Sequence, residues 1–392
     1  MKQLSIVSQT VQPSPIREMF NRAQQMTDVI SFAIGEPDFT TPPHIIDAAV
    51  EALRRGETHY TPNAGLLPLR QALSRELERT RGIDYNPDDQ IIVTAGAMEG
   101  LLLSMMTLLD PGDELILPDP YWTNYPGQVQ ICSAVPRFVP VDEANHFQYS
   151  AESLASAITN RTKGILINSP ANPTGGVADP GTLASIAKIA IEHDLYVLSD
   201  EVYTMLQYGT PASSIASVPH MAERTLVINS FSKTYAMTGW RVGYVAGPKA
   251  IISRMVKLQE NVVACVNTAA QYGALAALEG PGEPVEDMVR IYAERRAYLC
   301  EAVQSIDGLS CVEPQGAFYL FINISQTGLT SESFANGLLN EEKVVVVPGR
   351  AFGSTSASYV RLSYATSMDQ LREGMARIAR YVKRLMEKQD CI

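Results

Sequence analysis

Short apolar runs alternate with amphipathic stretches through the middle of this chain. The apolar runs have the length of buried strands and cover residues 91–94, 114–118, 136–139, 164–167, 195–199, 225–228 and 241–246. Helical patterns cover residues 66–81, 96–109, 154–158 and 183–193. This alternation predicts an α/β fold in which a large, mostly parallel sheet is sandwiched by helices.

The pattern changes near residue 285. A long charged helix is predicted at 289–306, and a closing helix at 368–385. Between them, spaced strands are predicted at 318–322, 344–347 and 359–364. These elements predict a smaller α+β domain after a large domain of residues 47–284. A chain of 392 residues, 46% of them hydrophobic, can bury the cores of two such domains.

Composition and charge exclude several classes of protein. The net charge is −11 and no basic run occurs, which counts against nucleic-acid binding. The first residues lack the apolar core of a signal peptide, and no apolar run is long enough to span a membrane. The five cysteines form no Cys-x-x-Cys pair, so we expect reduced thiols and a cytoplasmic location.

Three successive predicted strands end in polar residues. The first ends at Asn168, shortly before Asn172; the second runs into Asp200 and Tyr203; the third leads to Ser230 and Lys233. Because open α/β sheets bind ligands beyond the carboxyl ends of their strands, these side chains are expected to surround one small molecule. A lysine among hydroxyls, with Arg241 close behind it, suits an amine nucleophile beside a phosphate-bearing cofactor. The alternative is an ordinary loop lysine near a surface arginine.

An anion site is predicted where Gly96-Ala97-Met98 opens a helix directly after a strand. The free backbone N–H groups of a helix N-terminus and the helix dipole favour a phosphate there. Ser230 adds a hydroxyl and Arg241 a guanidinium that can bind two oxygens at once. The chain has neither the Gly-x-Gly-x-x-Gly dinucleotide signature nor the phosphate-loop pattern.

Further short motifs complete a recognisable order along the chain. They are Ile34-Gly35-Glu36-Pro37-Asp38-Phe39, His59 to Leu66, Asp119-Pro120-Tyr121-Trp122, Gly316-Ala317-Phe318-Tyr319, Val347-Pro348-Gly349 and Val360 to Ala365. With these motifs the chain, from Ser14 to about Arg384, resembles the pyridoxal-phosphate-dependent class I aminotransferases of the aspartate aminotransferase fold. It is most similar to the aromatic and aspartate aminotransferases and to the N-acetyl-diaminopimelate aminotransferases. The resemblance implies fold type I of the pyridoxal 5'-phosphate (PLP) enzymes, with residues 1–46 joined to the small domain of 285–392.

The resemblance also implies roles around the cofactor. Lys233 would form a Schiff base with PLP and move the substrate's α-proton. Asp200 would face the pyridine nitrogen and keep it protonated, although a strand-end aspartate is often a helix N-cap. Tyr203 and Asn172 would hydrogen-bond the phenolic oxygen, with a plain turn as the alternative for Asn172. Trp122 would stack on the ring, unless it is simply a core residue.

The remaining implied roles concern the phosphate and the substrate. Tyr60 would reach the phosphate of the neighbouring subunit in a homodimer with shared active sites. Arg361 would clamp the substrate's α-carboxylate, with Gly35 passing close to it. Arg17 is a candidate partner for a distal carboxylate.

The pocket for the substrate's side chain is less defined. Some aspartate-specific relatives have a lysine in the turn occupied here by Ala97 and Met98. Met98, Phe32, Tyr121 and Tyr125 would suit apolar or aromatic side chains, or they serve only in packing.

Three functions are compared. The first is an aminotransferase that passes the amino group of an aspartate, aromatic or related L-amino acid to a 2-oxo acid such as 2-oxoglutarate; an N-acetyl-diaminopimelate substrate is an alternative. The second is a C–S lyase on the same fold and cofactor. The third is a regulatory module of the kind fused to DNA-binding domains, against which the acidic charge and the lack of a helix-turn-helix extension count. The sequence favours the first.

Overall fold

The strands of the protein form one large and two small sheets. The computed structural model describes residues 2–11, 19, 26–209 and 213–389. The strands are β1 (Ile30–Ser31), β2 (Ile91–Thr94), β3 (Glu114–Asp119), β4 (Val135–Pro140), β5 (Thr162–Asn168), β6 (Tyr196–Asp200), β7 (Thr225–Ser230), β8 (Gly243–Ala246), β9 (Ser310–Cys311), β10 (Tyr319–Asn323), β11 (Val344–Val345), β12 (Val347–Pro348) and β13 (Tyr359–Ser363).

Helices cover these sheets. The α-helices are Ile6–Thr10, Pro43–Arg54, Leu67–Arg81, Gly96–Leu108, Tyr125–Ile131, Ala151–Ala157, Pro180–Glu192, Phe231–Thr234, Lys249–Val262, Thr268–Glu279, Glu283–Gln304, Ser331–Glu342 and Met368–Gln389. Short 3₁₀ turns lie at Glu143–Asn145, Ile215–Ser217, Thr238–Trp240, Ser325–Thr327, Gly349–Phe352 and Ser354–Ser356. No helix in the described ranges is both long and apolar enough to cross a membrane.

The seven-stranded sheet has the order β2-β8-β7-β6-β5-β3-β4. Only β8 runs antiparallel to its neighbours β2 and β7; the other pairs are parallel. Strands β2 and β7 are buried at every residue, as expected when helices cover both faces. The edge strand β4 is mostly exposed and carries two prolines, which an edge tolerates. The predicted mostly parallel, helix-covered sheet is confirmed.

Two predicted strands differ from those observed. The strand expected to begin at Arg241 begins at Gly243, and Arg241 itself has a positive φ of 55°. The helix Phe231–Thr234 and the turn Thr238–Trp240 separate it from β7. The segment 344–347 is two strands, because β11 pairs with β1 while β12 pairs with β13.

The C-terminal half contains a second, antiparallel sheet with the order β12-β13-β10-β9. Its buried side chains form one core with those of the helices Glu283–Gln304, Ser331–Glu342 and Met368–Gln389. The N-terminal segment joins the same core, because β1 pairs in parallel with β11, with Ile30 opposite Val344. The carboxyl ends of β5, β6 and β7 face a cavity that this C-terminal region closes on its other side.

Candidate active site

A cavity of about 500 Å³ lies between the large sheet and the C-terminal sheet. The predicted site residues that line it are Gly35, Ala97, Met98, Trp122, Asn172, Asp200, Tyr203, Ser230, Lys233, Arg241 and Arg361. These residues come from at least six separate segments of the chain. The structure therefore brings together nearly all of the side chains that the sequence singles out.

Lys233 lies on the short helix Phe231–Thr234, which follows β7 directly. The Ser230 side chain caps this helix by accepting a hydrogen bond from the Ser232 amide. The Lys233 ammonium donates to the carbonyl of Gly35 at 2.6 Å. Burial lowers the pKa of Lys233 to about 8, and this effect outweighs the opposing charge of Glu36. The neutral, nucleophilic amine is thus accessible near neutral pH.

Asp200 is the last residue of β6 and is buried. Its Oδ2 accepts a hydrogen bond from the Tyr125 hydroxyl at 2.6 Å, and its Oδ1 accepts one from the Val202 amide at 3.3 Å. Burial raises the pKa of Asp200 to about 6, against the effect of these hydrogen bonds. The residues that follow form a turn rather than a helix, so Asp200 is not a helix N-cap. The nearby Tyr203 hydroxyl lies 2.8 Å from the hydroxyl of Tyr319.

The N-terminus of helix Gly96–Leu108 is open toward Arg241. The N-cap residue Ala95 offers no side chain to the first amides of this helix, and among the described residues Oε2 of Glu99 accepts only from the amide of Ala95 itself. The amides of Gly96, Ala97 and Met98 can therefore bind a ligand. A Cβ at Gly96 would lie 2.6 Å from Nη2 of Arg241, and one at Gly243 would lie 2.8 Å from the carbonyl carbon of Gly96. Glycines at both positions therefore let the guanidinium and the helix terminus approach each other closely.

Arg361, on β13, is a buried cation on the opposite side of the cavity. Its Nη1 donates to Oδ1 of Asn172 at 3.0 Å, and its Nη2 donates to the carbonyl of Ala33. The guanidinium carbon lies 4.5 Å from the ring centre of Tyr319 and 5.0 Å from that of Phe352. Nε has no hydrogen-bond partner among the residues that the structure describes, and burial lowers the pKa of this arginine. A carboxylate ligand would satisfy both the charge and the donor.

Tyr125, a candidate for the substrate's side-chain pocket, also lines this cavity, whereas the remaining predicted residues lie outside it or beyond the described chain. Tyr60 is 89% exposed on this single chain and does not line the cavity. Phe32 is buried in the C-terminal core, and Tyr121 stacks on Phe138 with ring centres 4.9 Å apart, so both serve in packing. Arg17 lies outside the described residues.

The structure adds cavity residues that the sequence did not single out. Glu36 and Thr238 line the cavity and hydrogen-bond to each other, and Tyr319 contributes its ring to the Arg361 site. Glu36 and Tyr319 stand within motifs quoted above, so their position beside other candidates was a usable signal. No comparable signal marks the hydroxyl contact of Tyr125 with Asp200, since 75 positions separate the two residues.

Comparison with known proteins identifies the family of this chain. The family described as "Aminotransferase class I and II" matches residues 27–378. The chain is 43% identical to aromatic-amino-acid aminotransferase 2 of Thermococcus litoralis, over 95% of this chain and 96% of that protein. It is 44% identical to an aspartate aminotransferase of Bacillus subtilis, over 91% of this chain and 92% of that protein. The crystal structure of aspartate aminotransferase from Thermus thermophilus with maleate superposes with a TM-score of 0.93, at 38% identity, covering 97% of this chain and all of that chain.

The chain belongs to the class I and II aminotransferase family. It has the aspartate aminotransferase-like fold and amino-acid aminotransferase activity, and enzymes of this type depend on PLP. The cavity fits that cofactor. Small residues and free amides meet Arg241 at one end, as a phosphate requires, while an amine of lowered pKa and a buried carboxylate line the middle.

Proposed function

We propose that this aminotransferase takes aspartate, an aromatic amino acid or a related L-amino acid as donor and a 2-oxo acid such as 2-oxoglutarate as acceptor. The observation that carries the proposal is Arg361, a buried guanidinium beside the cavity whose Nε finds no partner in the described ranges of the chain. Every α-amino acid and every 2-oxo acid offers the carboxylate that this guanidinium lacks. The names of the relatives support aspartate and aromatic donors, and the apolar Met98 at the cavity wall is compatible with an aromatic side chain.

PLP would be held along the length of the cavity. The first amides of helix Gly96–Leu108, through Ala97 and Met98, would bind its phosphate together with Ser230 and Arg241. Trp122 would cover one face of the ring.

Asp200, Tyr203 and Asn172 would bind the polar edge of the ring. Asp200 would hold a proton on the pyridine nitrogen, and Tyr203 and Asn172 would donate to the phenolic oxygen. When bound, PLP supplies an aldehyde that combines with amines and a ring that accepts the electron pair released at the substrate's α-carbon.

The chain's own residues would then carry out the proton movements. Nζ of Lys233, whose pKa is lowered to about 8 by burial, would take the α-proton and return a proton later in the reaction. Arg361 would orient the substrate by binding both oxygens of its α-carboxylate, and Gly35 leaves room beside it. A side chain at Gly35 would collide with the Tyr319 hydroxyl.

The proposal extends to the assembly and location of the protein. We infer a large domain of residues 47–284 and a small domain of 1–46 and 285–392, supported by the separation of the large sheet from the C-terminal sheet. We also infer a homodimer in which Tyr60 of the partner subunit binds the phosphate; its exposure on the single chain supports this. A cytoplasmic location is supported by the free thiols of Cys132, Cys265, Cys300 and Cys311. Cys391 lies outside the described residues.

A spectroscopic screen of donors tests the proposed substrates. The PLP-loaded enzyme is mixed with single amino acids, including aspartate, glutamate, tyrosine, phenylalanine and an N-acetylated diaminopimelate. We expect the visible absorption of the cofactor to be lost fastest with aspartate or an aromatic donor and to return when 2-oxoglutarate is added. Fastest loss with the N-acetylated compound would contradict the proposed donor. Release of ammonia and pyruvate from a cysteine-type substrate, with no recovery by 2-oxoglutarate, would indicate a C–S lyase instead.

A further inference from the structure

Among the described residues, two hydrogen-bond donors fix the Asp200 carboxylate, and the Tyr125 hydroxyl is one of them. Tyr125 is the first residue of helix Tyr125–Ile131, and its backbone amide donates to the carbonyl of Trp122 at 3.1 Å. The ring is 1% exposed and packs edge-on against Trp122, with ring centres 5.2 Å apart. Its hydroxyl lies 2.6 Å from Oδ2 of Asp200. Backbone and ring contacts thus hold this donor in place.

The direction of this hydrogen bond is determined by charge. Burial and the neighbouring Asp200 raise the pKa of Tyr125 well above its ordinary value, so the hydroxyl keeps its proton and donates. An ionised carboxylate only accepts. Oδ1 of Asp200 receives the Val202 amide, and each oxygen keeps a second lone pair free for a ligand in the cavity.

We propose that Tyr125 is a positioning residue of the aminotransferase, whose hydroxyl orients the Asp200 carboxylate and keeps it ionised toward the cofactor's pyridine nitrogen. The inference rests on the proposed placement of that nitrogen beside Asp200. Tyr125 does not contact the substrate in this proposal, because it acts only through Asp200.

The charge balance around Asp200 explains why such a donor is needed. Burial is the largest influence on this carboxyl and raises its pKa, and the charge of Glu201 acts in the same direction. Tyr125 is the largest opposing influence, followed by the Val202 amide and Lys233. Tyr203 is the other titratable group beside this carboxylate. Without the Tyr125 hydroxyl, the carboxylate becomes more basic and takes the proton that it would otherwise leave on the ring nitrogen.

The test compares Tyr125→Phe with Tyr149→Phe in the PLP-loaded enzyme. Tyr149 is a matched control, because its buried hydroxyl also makes one hydrogen bond, to the carbonyl of Leu166 at 2.9 Å, and it does not line the main cavity. The readout is the ¹⁵N chemical shift of PLP labelled at its ring nitrogen, followed against pH. We expect the ¹⁵N shift of Tyr125→Phe on the low-pH side of the titration to move toward that of an unprotonated pyridine. The Asp200 carboxyl, made more basic by about one to two pKa units through loss of a hydrogen bond to a charged group, then takes a larger share of the proton between it and the ring.

Steady-state kinetics supply a second readout. Tyr125→Phe should lower kcat on the order of tenfold and leave KM for the amino acid within about twofold, because the α-carboxylate clamp is untouched. Tyr149→Phe should leave both the ¹⁵N titration and kcat at wild-type values. An unchanged ¹⁵N titration in Tyr125→Phe overturns the inference, whatever happens to kcat.

Two further variants separate this inference from the proposed function and guard against misfolding. If Asp200→Asn removes the ring proton and Tyr125→Phe does not, Tyr125 is only a packing residue and the placement of Asp200 stands. If Asp200→Asn leaves the ring proton in place, both the placement of Asp200 and the role of Tyr125 are wrong.

Should Tyr125→Phe not fold, 3-fluorotyrosine at position 125 keeps the ring and gives a more acidic donor. It should keep the ¹⁵N shift at or beyond the protonated-ring value of the wild type, and a move toward the unprotonated value overturns the inference.

Discussion

At the scale of single residues, two cations of the cavity, the half-buried Lys233 and the buried Arg361, have no ion-pair partner in the described part of the chain. Neither Lys233 nor Arg361 forms a salt bridge within 4.0 Å among the described residues. By contrast, Arg81, whose side chain is buried, pairs with the buried Glu201, and the buried Arg295 pairs with Asp38, which is exposed. Buried charges are normally paired, so unpaired ones in a cavity are available to ligands.

The lowered pKa of Lys233 predicts how PLP capture depends on pH. In cofactor-free enzyme the neutral amine reacts, and burial lowers its pKa from 10.5 to about 8. The rate of covalent attachment should therefore rise as pH increases to about 8 and level off above it. Stopped-flow absorbance after mixing with PLP measures this rate, and Lys233→Ala provides the blank. A rate that keeps rising to pH 10 would mean that the amine is not buried as described.

Replacing Arg361 predicts a loss that does not depend on the donor's side chain. Arg361→Leu should weaken the use of every amino acid, because it removes the contact to the shared α-carboxylate. The expected loss in kcat/KM corresponds to about 2–5 kcal/mol. Arg372→Leu, at an exposed position on helix Met368–Gln389, is the control and should be neutral. A loss confined to acidic donors would show that Arg361 binds the distal carboxylate instead.

At the scale of elements, one aspartate ties the large sheet to the C-terminal region. Asp119, the last residue of β3, accepts hydrogen bonds from the Ser354 amide at 3.0 Å and from the Ser354 and Thr355 hydroxyls at 2.8 Å each. Two residues further along the chain, the Tyr121 amide donates to the carbonyl of Phe352 at 2.8 Å. The segment that carries Trp122 is thereby fixed to the segment that packs on Arg361.

This connection leaves no room for a side chain at Gly353. A Cβ there would lie 1.8 Å from Oδ1 of Asp119, and φ is 141°. Gly353→Ala should therefore lower the free energy of unfolding by about 1–3 kcal/mol or more through overpacking, in addition to the backbone strain. Gly56→Ala is the control, since Gly56 also has a positive φ, of 85°, but nothing lies within 4 Å of its Cβ position. Unfolding in urea measures both; equal losses would mean that backbone strain alone matters.

The elements themselves were predictable to different degrees. The ends of strands β2, β5 and β7 were predicted to within about two residues. Short continuous apolar runs that end in polar residues rarely adopt a conformation other than a buried strand. Helices Lys249–Val262 and Thr268–Glu279 were missed. In the latter, alanine and glycine leave no clear apolar stripe, so tertiary packing decides its conformation. The site was predicted where a motif stands at a strand end, as at Asp200. Contacts such as Tyr125 with Asp200 depend on how distant segments meet, and local patterns do not contain that information.

At the scale of the whole molecule, the exposure of Tyr60 predicts a shared active site. Co-expression of Tyr60→Ala with Lys233→Ala, each nearly inactive alone, should restore activity. In a hybrid dimer one site receives both intact residues and the other receives both defects. Random mixing makes about half of the dimers hybrid, so roughly a quarter of wild-type activity should return. Mass spectrometry confirms the hybrids. Activity no higher than that of the two parents would place Tyr60 within its own subunit's site.

The order of the strands in the large sheet has a consequence for synthesis on the ribosome. The last strand to enter this sheet is β8, which is inserted between β2 and β7 and ends at Ala246. Lys233, Arg241 and the helix that begins at Gly96 have then all been translated, while Arg361 follows much later. On the proposed placement, the chain's own residues that would hold the cofactor are thus translated well before the arginine that would bind the amino acid.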